Sequence, residues 1–226
     1  MFKQYAKNVY SQQGEDGILE VIFEKLNIKN NNNSWAVEFG AWDGKYFNNA
    51  FYFVEKGWSC VMIEGDDEKF KDLLKTCEQH SSIIPINKYV SQFDYQEDSL
   101  SKILKETNLP KEFELLSIDV DTYDSDIWET FTDYNPKVVV IEINSTPPLG
   151  VKWRHKLFDK DGKAIVDQHA ECQGTTFSET LDIGHKKGYK MVCHTGNGIF
   201  VRNDLLGKLD MPQNLLDNQD LLYWGP

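Results

Sequence analysis

The segment AVEFGAWDG at residues 36–44 runs from an apolar stretch into a turn with two glycines and an acidic residue on either side. The polar run LNIKNNNNS precedes it, so the apolar stretch starts abruptly at Trp35, as a buried strand does. In a parallel sheet, ligands bind beyond the carboxyl ends of the strands, and glycines there let a ligand approach the backbone. Gly40 and Gly44 occupy such positions. The segment therefore predicts a first strand followed by a ligand-binding turn.

Apolar patterns along the rest of the chain alternate between helical and strand spacing. Helices are predicted at residues 14–27 (with Ser11 as a cap), 48–57, 66–77, 100–106 and 125–131, and strands at 35–39, 59–64, 83–90, 113–119 and 137–144. A helix at 175–188 and a hairpin turning at residues 195–197 follow. Such alternation implies right-handed crossovers and a parallel sheet. The predicted fold is an α/β, Rossmann-like fold with a mostly parallel central sheet, helices on both faces and a C-terminal antiparallel hairpin.

The chain of 226 residues can bury one hydrophobic core and is predicted to be a single domain. Within it, residues 1–34 form a segment that covers the ligand, and residues 35–144 form the binding core. Residues 145–173 have no clear period, and a long irregular segment in a compact domain is usually functional. We interpret this segment as a lid over the binding site, followed at residues 174–226 by the C-terminal helix and hairpin.

Composition excludes several classes of protein. The formal net charge of -12 repels a polyphosphate backbone and argues against binding to nucleic acid. No run approaches the roughly 20 apolar residues of a membrane helix, and the N-terminus lacks the apolar core of a signal peptide. A cytoplasmic protein without a membrane span is expected. The four cysteines form no C-x-x-C pair and are expected to be buried free thiols, and the sequence sets no oligomeric state.

The acid at the end of the second strand indicates which ligand the glycine turn accepts. Glu64 lies 24 residues after Gly40, where a carboxylate can accept hydrogen bonds from both hydroxyls of a ribose. Glu38 and Asp43 lie where an NAD-binding turn has uncharged residues; they repel pyrophosphate and suit the sulfonium and ammonium groups of S-adenosylmethionine. An alternative interpretation is that both acids cap loops. The same acids make NAD a less favoured ligand than S-adenosylmethionine, so an NAD-dependent oxidoreductase is the less favoured hypothesis.

Four motifs, SQQGEDGIL, VEFGAWDG, GWSCVMIEGD and LLSIDVDTYDS, occur in order over residues 11–145 and resemble the S-adenosylmethionine-dependent methyltransferases of the FkbM-like group. GNGIFVRND fits the closing hairpin of that family. The resemblance implies a class I methyltransferase fold, with the methionine group near Glu38 and the ribose on Glu64. The implied cofactor-binding residues are Gln12, Gly14, Glu15, Asp16, Glu38, Gly40, Asp43, Glu64 and Asp119.

Acidic residues also follow the fourth and fifth strands. Asp119 and Asp121 are two apart and face the same way in an extended chain, which is costly unless a cation or a shared proton relieves the repulsion. Glu142 and Asn144 end the adjacent strand, so oxygen ligands converge that suit Mg²⁺ or Mn²⁺. The alternative is that these acids cap the next helix, as Asp124 is expected to do.

The pattern Asp-x-Asp-x-Tyr-Asp-Ser is similar to that of metal-dependent sugar O-methyltransferases. The similarity implies that Asp119 and Glu142 are metal ligands, that Asn144 is a candidate third ligand, and that Asp121 is the catalytic base. This sequence departs from that pattern, since Glu142 and Asn144 replace two adjacent aspartates.

The predicted lid carries a basic cluster at residues 152–156, KWRHK. Arginine binds phosphate or carboxylate in a bidentate manner, and tryptophan offers a flat face to a sugar. A nucleotide-linked sugar or phosphorylated glycan precursor would suit the cluster, but a solvated loop with salt bridges is an equal alternative. His155 or His169 could replace Asp121 as the base. The predicted substrate-binding residues are Lys152, Trp153, Arg154 and His169.

Together these features predict an O-methyltransferase that moves a methyl group from S-adenosylmethionine to a small sugar-like or phosphorylated acceptor. A surface-glycan or capsule precursor with a phosphate or phosphoramidate group is one such acceptor. The alternative from another class is a non-catalytic domain of the same fold. In that case Glu64 would be buried by partner side chains instead of facing an open pocket.

Overall fold

The computed structural model describes residues 1–156, 163 and 173–224 and is built around one seven-stranded sheet. Its strands are β1 (Trp35–Phe39), β2 (Ser59–Glu64), β3 (Ile83–Asn87), β4 (Leu115–Ile118), β5 (Val138–Glu142), β6 (Tyr189–His194) and β7 (Asn197–Arg202). Their order is β3-β2-β1-β4-β5-β7-β6. The first five strands pair in parallel, and β7 runs antiparallel to β5 and β6. This topology confirms the predicted Rossmann-like fold with its C-terminal antiparallel hairpin.

The α-helices among the described residues are α1 (Glu15–Lys25), α2 (Phe51–Val54), α3 (Asp67–Cys77), α4 (Leu100–Lys105), α5 (Asp124–Thr130), α6 (Phe177–Lys186) and α7 (Gln213–Asp217). Short 3-10 helices cover Phe2–Tyr5, Asn203–Lys208 and Gln219–Leu222. These three segments and α7 are additions to the elements predicted from the sequence.

The second helix is shorter than predicted. Its predicted range of residues 48–57 contains only the single turn of α2. The N–H groups of Ala50 and Phe51 donate to Asn48 Oδ1 at 3.0 and 2.7 Å, so the asparagine side chain fixes a loop before the helix begins. Gly57, at φ +95°, turns the chain into β2. The asparagine side chain thus competes with the helical hydrogen bonds of this segment and outweighs its apolar pattern.

Alternate residues of the central strands pack into two hydrophobic clusters, one on each face of the sheet. In β1, Ala36 belongs to one cluster while Val37 and Phe39 belong to the other. The first cluster includes apolar side chains of α1, α2 and α3, and the second includes those of α4, α5 and α6. Helices therefore cover both faces, as predicted.

The strand register brings three predicted site residues to one level. Phe39 in β1 pairs with Ile63 in β2 on one side and with Ile118 in β4 on the other. The next residues along the three strands are Gly40, Glu64 and Asp119. The strand order reverses between β1 and β4, which is where α/β folds bind ligands.

Two further expectations concern membrane segments and thiols. Within the described part of the chain, every helix is too short or too polar to cross a membrane. Cys60 and Cys193 are buried free thiols, and Cys77 is a half-buried one. Cys172 lies outside the described residues.

Candidate functional site

A cavity of about 490 Å³ lies beyond the carboxyl ends of β1, β2, β4 and β5. Six residues singled out from the sequence line it: Gln12, Gly40, Glu64, Asp119, Asp121 and Glu142. They come from five separate parts of the chain and meet only because the strands end at one edge of the sheet. We refer to this space as the main cavity.

Gly40 forms the tight turn beneath the main cavity. Its φ is +74°, and a Cβ built at this position would lie 1.8 Å from the carbonyl oxygen of Asp119. Both the conformation and the close approach require glycine. The turn after β1 therefore packs backbone to backbone against the loop after β4.

Glu64 is 7% exposed and lines the main cavity. One of its oxygens accepts the Trp42 N–H and the other accepts the Asp66 N–H, each at 2.8 Å. A carboxylate oxygen has two lone pairs, so each retains the capacity to accept a second hydrogen bond. Backbone groups thus hold the carboxylate in place, and it faces a cavity, unlike the side-chain burial expected of a non-catalytic domain.

The acids on either side of the glycine turn cap loops. Glu38 accepts the N–H groups of Asn49 and Ala50 at 3.0 and 2.7 Å. It is 3% exposed, does not line the main cavity, and burial raises its pKa to about 8. Asp43 Oδ1 accepts the N–H groups of Lys45 and Tyr46 at 2.8 and 2.7 Å. Both contacts match the loop-capping alternative that the sequence left open.

The N-terminal segment is fixed by two fully buried acids. Asp16 Oδ2 accepts the N–H groups of Val9, Tyr10 and Ser11 at 2.7 to 2.9 Å. In return, Ser11 Oγ accepts the Asp16 N–H at 3.1 Å. The predicted cap at Ser11 thus contacts the first turn of α1. Asp16 shapes the loop that brings Gln12 to the main cavity.

Glu15 ties this segment to the C-terminal hairpin. It accepts hydrogen bonds from Thr195 Oγ1 at 2.7 Å and from Asn197 Nδ2 at 3.1 Å. Gly14 has φ +97°, and a Cβ there would lie 2.5 Å from the Cβ of Ala6. Glu15, Asp16 and Gly14 are not among the residues that line the main cavity; they position its wall.

Three carboxyl groups meet at the floor of the main cavity. Oxygen atoms of Asp119, Asp124 and Glu142 lie within 4.8 Å of one another. Burial and then the neighbouring carboxylates raise the pKa of Asp119 to about 7 and that of Glu142 to about 8. Burial also raises the pKa of Asp124 to about 6. At this separation the three carboxylates would repel one another unless a proton or a cation lay among them.

The third member of this acid cluster differs from the residue predicted. Asp124 begins α5, and its side chain accepts the N–H groups of Val120 and Thr122 at 2.7 and 3.1 Å, in the loop before the helix. The N-cap of α5 is Tyr123, without a side-chain hydrogen bond, so the prediction that Asp124 caps this helix is wrong. Asn144, the predicted candidate ligand, accepts the Thr146 N–H at 3.0 Å and donates to the Gln173 carbonyl at 2.8 Å. Asp119 and Glu142 therefore meet as predicted, with Asp124 beside them.

Asp121 lies between the main cavity and a second cavity of about 340 Å³. The residues that line this second cavity are Asp121, Glu142, Ile143, Asn144, Ser145, Thr146 and Gln173. Asp121 is exposed and has φ +64°, a left-handed conformation that is unfavourable for a residue other than glycine. The two hydrogen bonds to Asp124, on either side of Asp121, stabilise this conformation.

The basic cluster of the predicted lid forms salt bridges. Arg154 pairs with Asp126 at 2.8 Å, Glu129 at 2.7 Å and Glu179 at 3.1 Å, and Lys152 pairs with Asp182. These contacts match the salt-bridge alternative for this segment.

The aromatic members of the predicted lid are placed near these salt bridges. The rings of Trp153 and His155 are 6.2 Å apart, and neither residue lines the two cavities. His169 lies outside the described residues. The proposed roles of Trp153, His155 and His169 stay predictions.

Sequence reasoning missed the aromatic wall of the main cavity. Trp42, Tyr46, Phe47 and Tyr89 line it and are between 42% and 66% exposed, although large apolar side chains are usually buried. Lys69 Nζ lies 5.1 Å from the centre of the Trp42 ring. The run WDGKYF at residues 42–47, three aromatics inside a glycine turn, was the available signal.

Comparison with known proteins shows the fold. No protein-family model matches the sequence, and a search of curated protein sequences finds no match. Monomeric WbdD has a TM-score of 0.50 at 12% identity, covering 88% of this chain and 42% of WbdD. A precorrin-6Y C5,15-methyltransferase from Geobacter metallireducens has a TM-score of 0.47 at 9% identity, covering 86% of this chain and 92% of that one. The N-terminal domain of EvdMO1, in the presence of SAH and D-fucose, has a TM-score of 0.47 at 11% identity, covering 84% and 83%.

Proposed function

We propose that this chain is an S-adenosylmethionine-dependent O-methyltransferase. Its acceptor would be a small sugar-like or phosphorylated molecule, such as a surface-glycan or capsule precursor with a phosphate or phosphoramidate group. One observation carries the proposal: the main cavity combines the Gly40 turn with a Glu64 carboxylate that is held by backbone groups and keeps acceptor capacity. The Rossmann-like fold supports it.

The donor side of the main cavity fits adenosine and a cation. Glu64 would accept the ribose hydroxyls, and the rings of Trp42 and Tyr89 offer flat faces to a purine. Asp119 and Glu142 line the same cavity, and a positively charged sulfur beside them would favour their ionised form. S-adenosylmethionine would supply an electrophilic methyl group on that sulfur.

Asp121 is the proposed base because it faces both cavities. An acceptor in the second cavity would present its hydroxyl toward the main cavity beside this carboxylate. Asp121 would take the hydroxyl proton as the oxygen forms its bond to the methyl carbon and the carbon–sulfur bond breaks. Positioning the two reactants in line would supply much of the rate enhancement.

A divalent cation is a second part of the proposal. Asp119, Asp124 and Glu142 offer hard oxygen ligands within 4.8 Å of one another, which suits Mg²⁺ or Mn²⁺. Such an ion would relieve the repulsion among these acids, which adds to the effect of burial in raising the pKa values of Asp119 and Glu142. We expect Mn²⁺ to bind, as measured by the loss of its free electron paramagnetic resonance signal. Asp119→Asn should weaken binding at least tenfold, whereas the surface control Asp72→Asn should not; equal binding would contradict the metal site.

Glu64→Gln tests the donor site. Its amide cannot accept hydrogen bonds on both sides, so we expect the Kd for S-adenosylhomocysteine to rise about tenfold to a hundredfold. Glu68→Gln, an exposed change on the adjacent helix, is the matched control. Isothermal titration calorimetry measures both. The absence of heat and of thermal stabilisation with the unmodified chain at millimolar ligand would refute the proposed function.

Two alternatives predict different results. An NAD-dependent oxidoreductase would bind NADH in competition with S-adenosylmethionine, and the carboxylates at the cavity floor make this unfavourable. A non-catalytic domain would transfer no methyl group to any acceptor, whether or not it binds S-adenosylhomocysteine. Screening acceptors with methyl-labelled S-adenosylmethionine separates the second alternative from an enzyme.

A further inference from the structure

A hydrogen-bonded chain joins the C-terminal segment to the wall of the second cavity. The backbone N–H of Trp224 donates to Nδ1 of His194 at 3.0 Å. On the opposite side of the ring, Nε2 of His194 lies 3.0 Å from Ser145 Oγ. His194 is 2% exposed, and Ser145 lines the second cavity.

The Trp224 contact determines the tautomer of His194. A backbone N–H can only donate, so Nδ1 must be the unprotonated, accepting nitrogen. An imidazolium would direct a second N–H at the Trp224 N–H, so the ring is neutral and its proton is on Nε2. Burial lowers the pKa of His194 to about 4, in agreement with this geometry.

The tautomer in turn determines what Ser145 can do. The Nε2–H of His194 donates to Ser145 Oγ, so the ring cannot act as a base toward this hydroxyl. The hydroxyl proton of Ser145 is therefore left as a donor. Among the residues that the structure describes, His194 is the hydrogen-bond partner of Ser145 Oγ, and the second cavity lies next to it.

The C-terminal segment also holds the backbone of Ser145. The Tyr223 hydroxyl donates to the carbonyl of Ser145 at 2.9 Å and to that of Pro147 at 3.1 Å. The Tyr223 ring also stacks on His194, with the ring centres 6.1 Å apart. The side chain and the main chain of Ser145 are thus both positioned by residues near the end of the chain.

We propose that Ser145 determines acceptor specificity by donating its O–H to an oxygen of the molecule bound in the second cavity. His194 and Trp224 are positioning groups that act through Ser145. This inference rests on the proposed function and specifies its acceptor site. The exposed Asp121 carboxylate in the same wall favours an uncharged hydroxyl over a phosphate as the group nearest Ser145.

The first experiment determines the tautomer of His194 in the unliganded protein and needs no enzymatic activity. In protein labelled with ¹⁵N-histidine, long-range ¹H–¹⁵N correlation spectra should show His194 protonated on Nε2 alone at pH 7. A ring protonated on Nδ1, or on both nitrogens, would overturn the inference.

The second experiment tests Ser145 with two probes, D-glucose and glucose 6-phosphate, titrated separately into protein saturated with S-adenosylhomocysteine. We expect D-glucose to shift the Ser145 amide resonance, with a Kd about tenfold higher in Ser145→Ala and close to the original in Ser145→Thr. Ser81→Ala, an exposed change in the turn before β3, should leave the Kd unchanged. If neither probe shifts Ser145, or if Ser145→Ala binds as tightly as the unmodified chain, the inference fails. Tighter binding of glucose 6-phosphate through Ser145 would overturn the preference for an uncharged group.

A third comparison isolates the positioning role of His194. His194→Phe should weaken D-glucose binding as much as Ser145→Ala does, and the double variant should lose no more, because His194 acts only by positioning the Ser145 hydroxyl. His194→Gln keeps an N–H toward Ser145 and should restore binding; additive losses would contradict the coupling. Binding of S-adenosylhomocysteine, measured in parallel, tells a failure of this inference from a failure of the methyltransferase proposal.

Discussion

At the scale of single residues, Gly40 shows how one missing side chain shapes the cavity floor. Two separate factors apply at this position: a positive φ and an approach of 1.8 Å between a built Cβ and the Asp119 carbonyl oxygen. The first factor alone costs a residue other than glycine roughly 1–2 kcal/mol. The second requires the loop after β4 to move.

The two factors can be separated by comparing two glycines. Gly150 also has a positive φ, +88°, but nothing lies within 4 Å of a Cβ built there. We expect Gly40→Ala to lower the free energy of unfolding by at least about 2 kcal/mol more than Gly150→Ala does, since only the former displaces backbone. Urea denaturation measures both values. Equal losses would show that the turn can move away from Asp119 without cost.

The sequence could predict Gly40 and Glu64 because their positions follow from the ends of strands. The same reasoning placed Glu38 beside the ligand, but this residue does not line the main cavity. Its carboxylate caps Asn49 and Ala50, and nothing in the sequence indicated that this loop returns over the end of β1. The direction of the Glu38 side chain therefore depends on its contact with the loop of Asn49 and Ala50, which no local sequence pattern predicts.

At the scale of elements, the ends of β4 and β5 place several acids in a buried space. Their raised pKa values, about 7 for Asp119 and about 8 for Glu142, mean that the folded chain keeps protons that the unfolded chain has lost. From the ordinary carboxyl pKa of about 4 upward, the folded state binds more protons than the unfolded state. The free energy of unfolding should therefore fall as the pH rises from about 4 to about 8.

Glu142→Gln should reduce this pH dependence. The amide cannot titrate, so the slope of unfolding free energy against pH should become less negative by up to about 1.4 kcal/mol per pH unit. Urea denaturation curves, about one per half pH unit between pH 4.5 and 8 and recorded in the presence of a chelator, give this slope. The exposed control Glu68→Gln should keep the original slope. A stability that rises over this range would contradict the assigned protonation.

Elements with strong periodicity were predictable, and those defined by polar contacts were not. The strands and α1 follow apolar patterns and were predicted to within a few residues. α2 was predicted too long because the Asn48 side chain replaces a helical turn. The salt bridges of Arg154 depend on α5 and α6 lying side by side. The sequence does not show this arrangement, so salt bridges were only one of two interpretations of the basic cluster.

At the scale of the whole molecule, Glu15 links the two ends of the chain. It is fully buried and accepts hydrogen bonds from Thr195 and Asn197. Thr195→Val would remove one donor and leave part of a buried carboxylate unsatisfied, at a cost of roughly 1–3 kcal/mol. We expect faster amide hydrogen exchange in residues 9–16, because this segment would open locally before the sheet unfolds.

Thr132→Val, an exposed substitution of the same kind, serves as the control. Exchange in residues 9–16 should be unchanged in this variant. If Thr195→Val leaves exchange there unchanged as well, the N-terminal segment does not depend on the hairpin, and the wall that carries Gln12 is stable without it.

The link between Glu15 and Thr195 spans 180 positions along the chain. During synthesis, α1 leaves the ribosome long before β6 and β7 are made, so β5 at first lacks its antiparallel neighbour β7. Until the hairpin is made, the buried Glu15 carboxylate therefore lacks its donors Thr195 and Asn197. The N-terminal segment that carries Gln12 should accordingly become ordered in a late folding step, and a chain stalled on the ribosome before the hairpin should hold that segment in a protease-sensitive state.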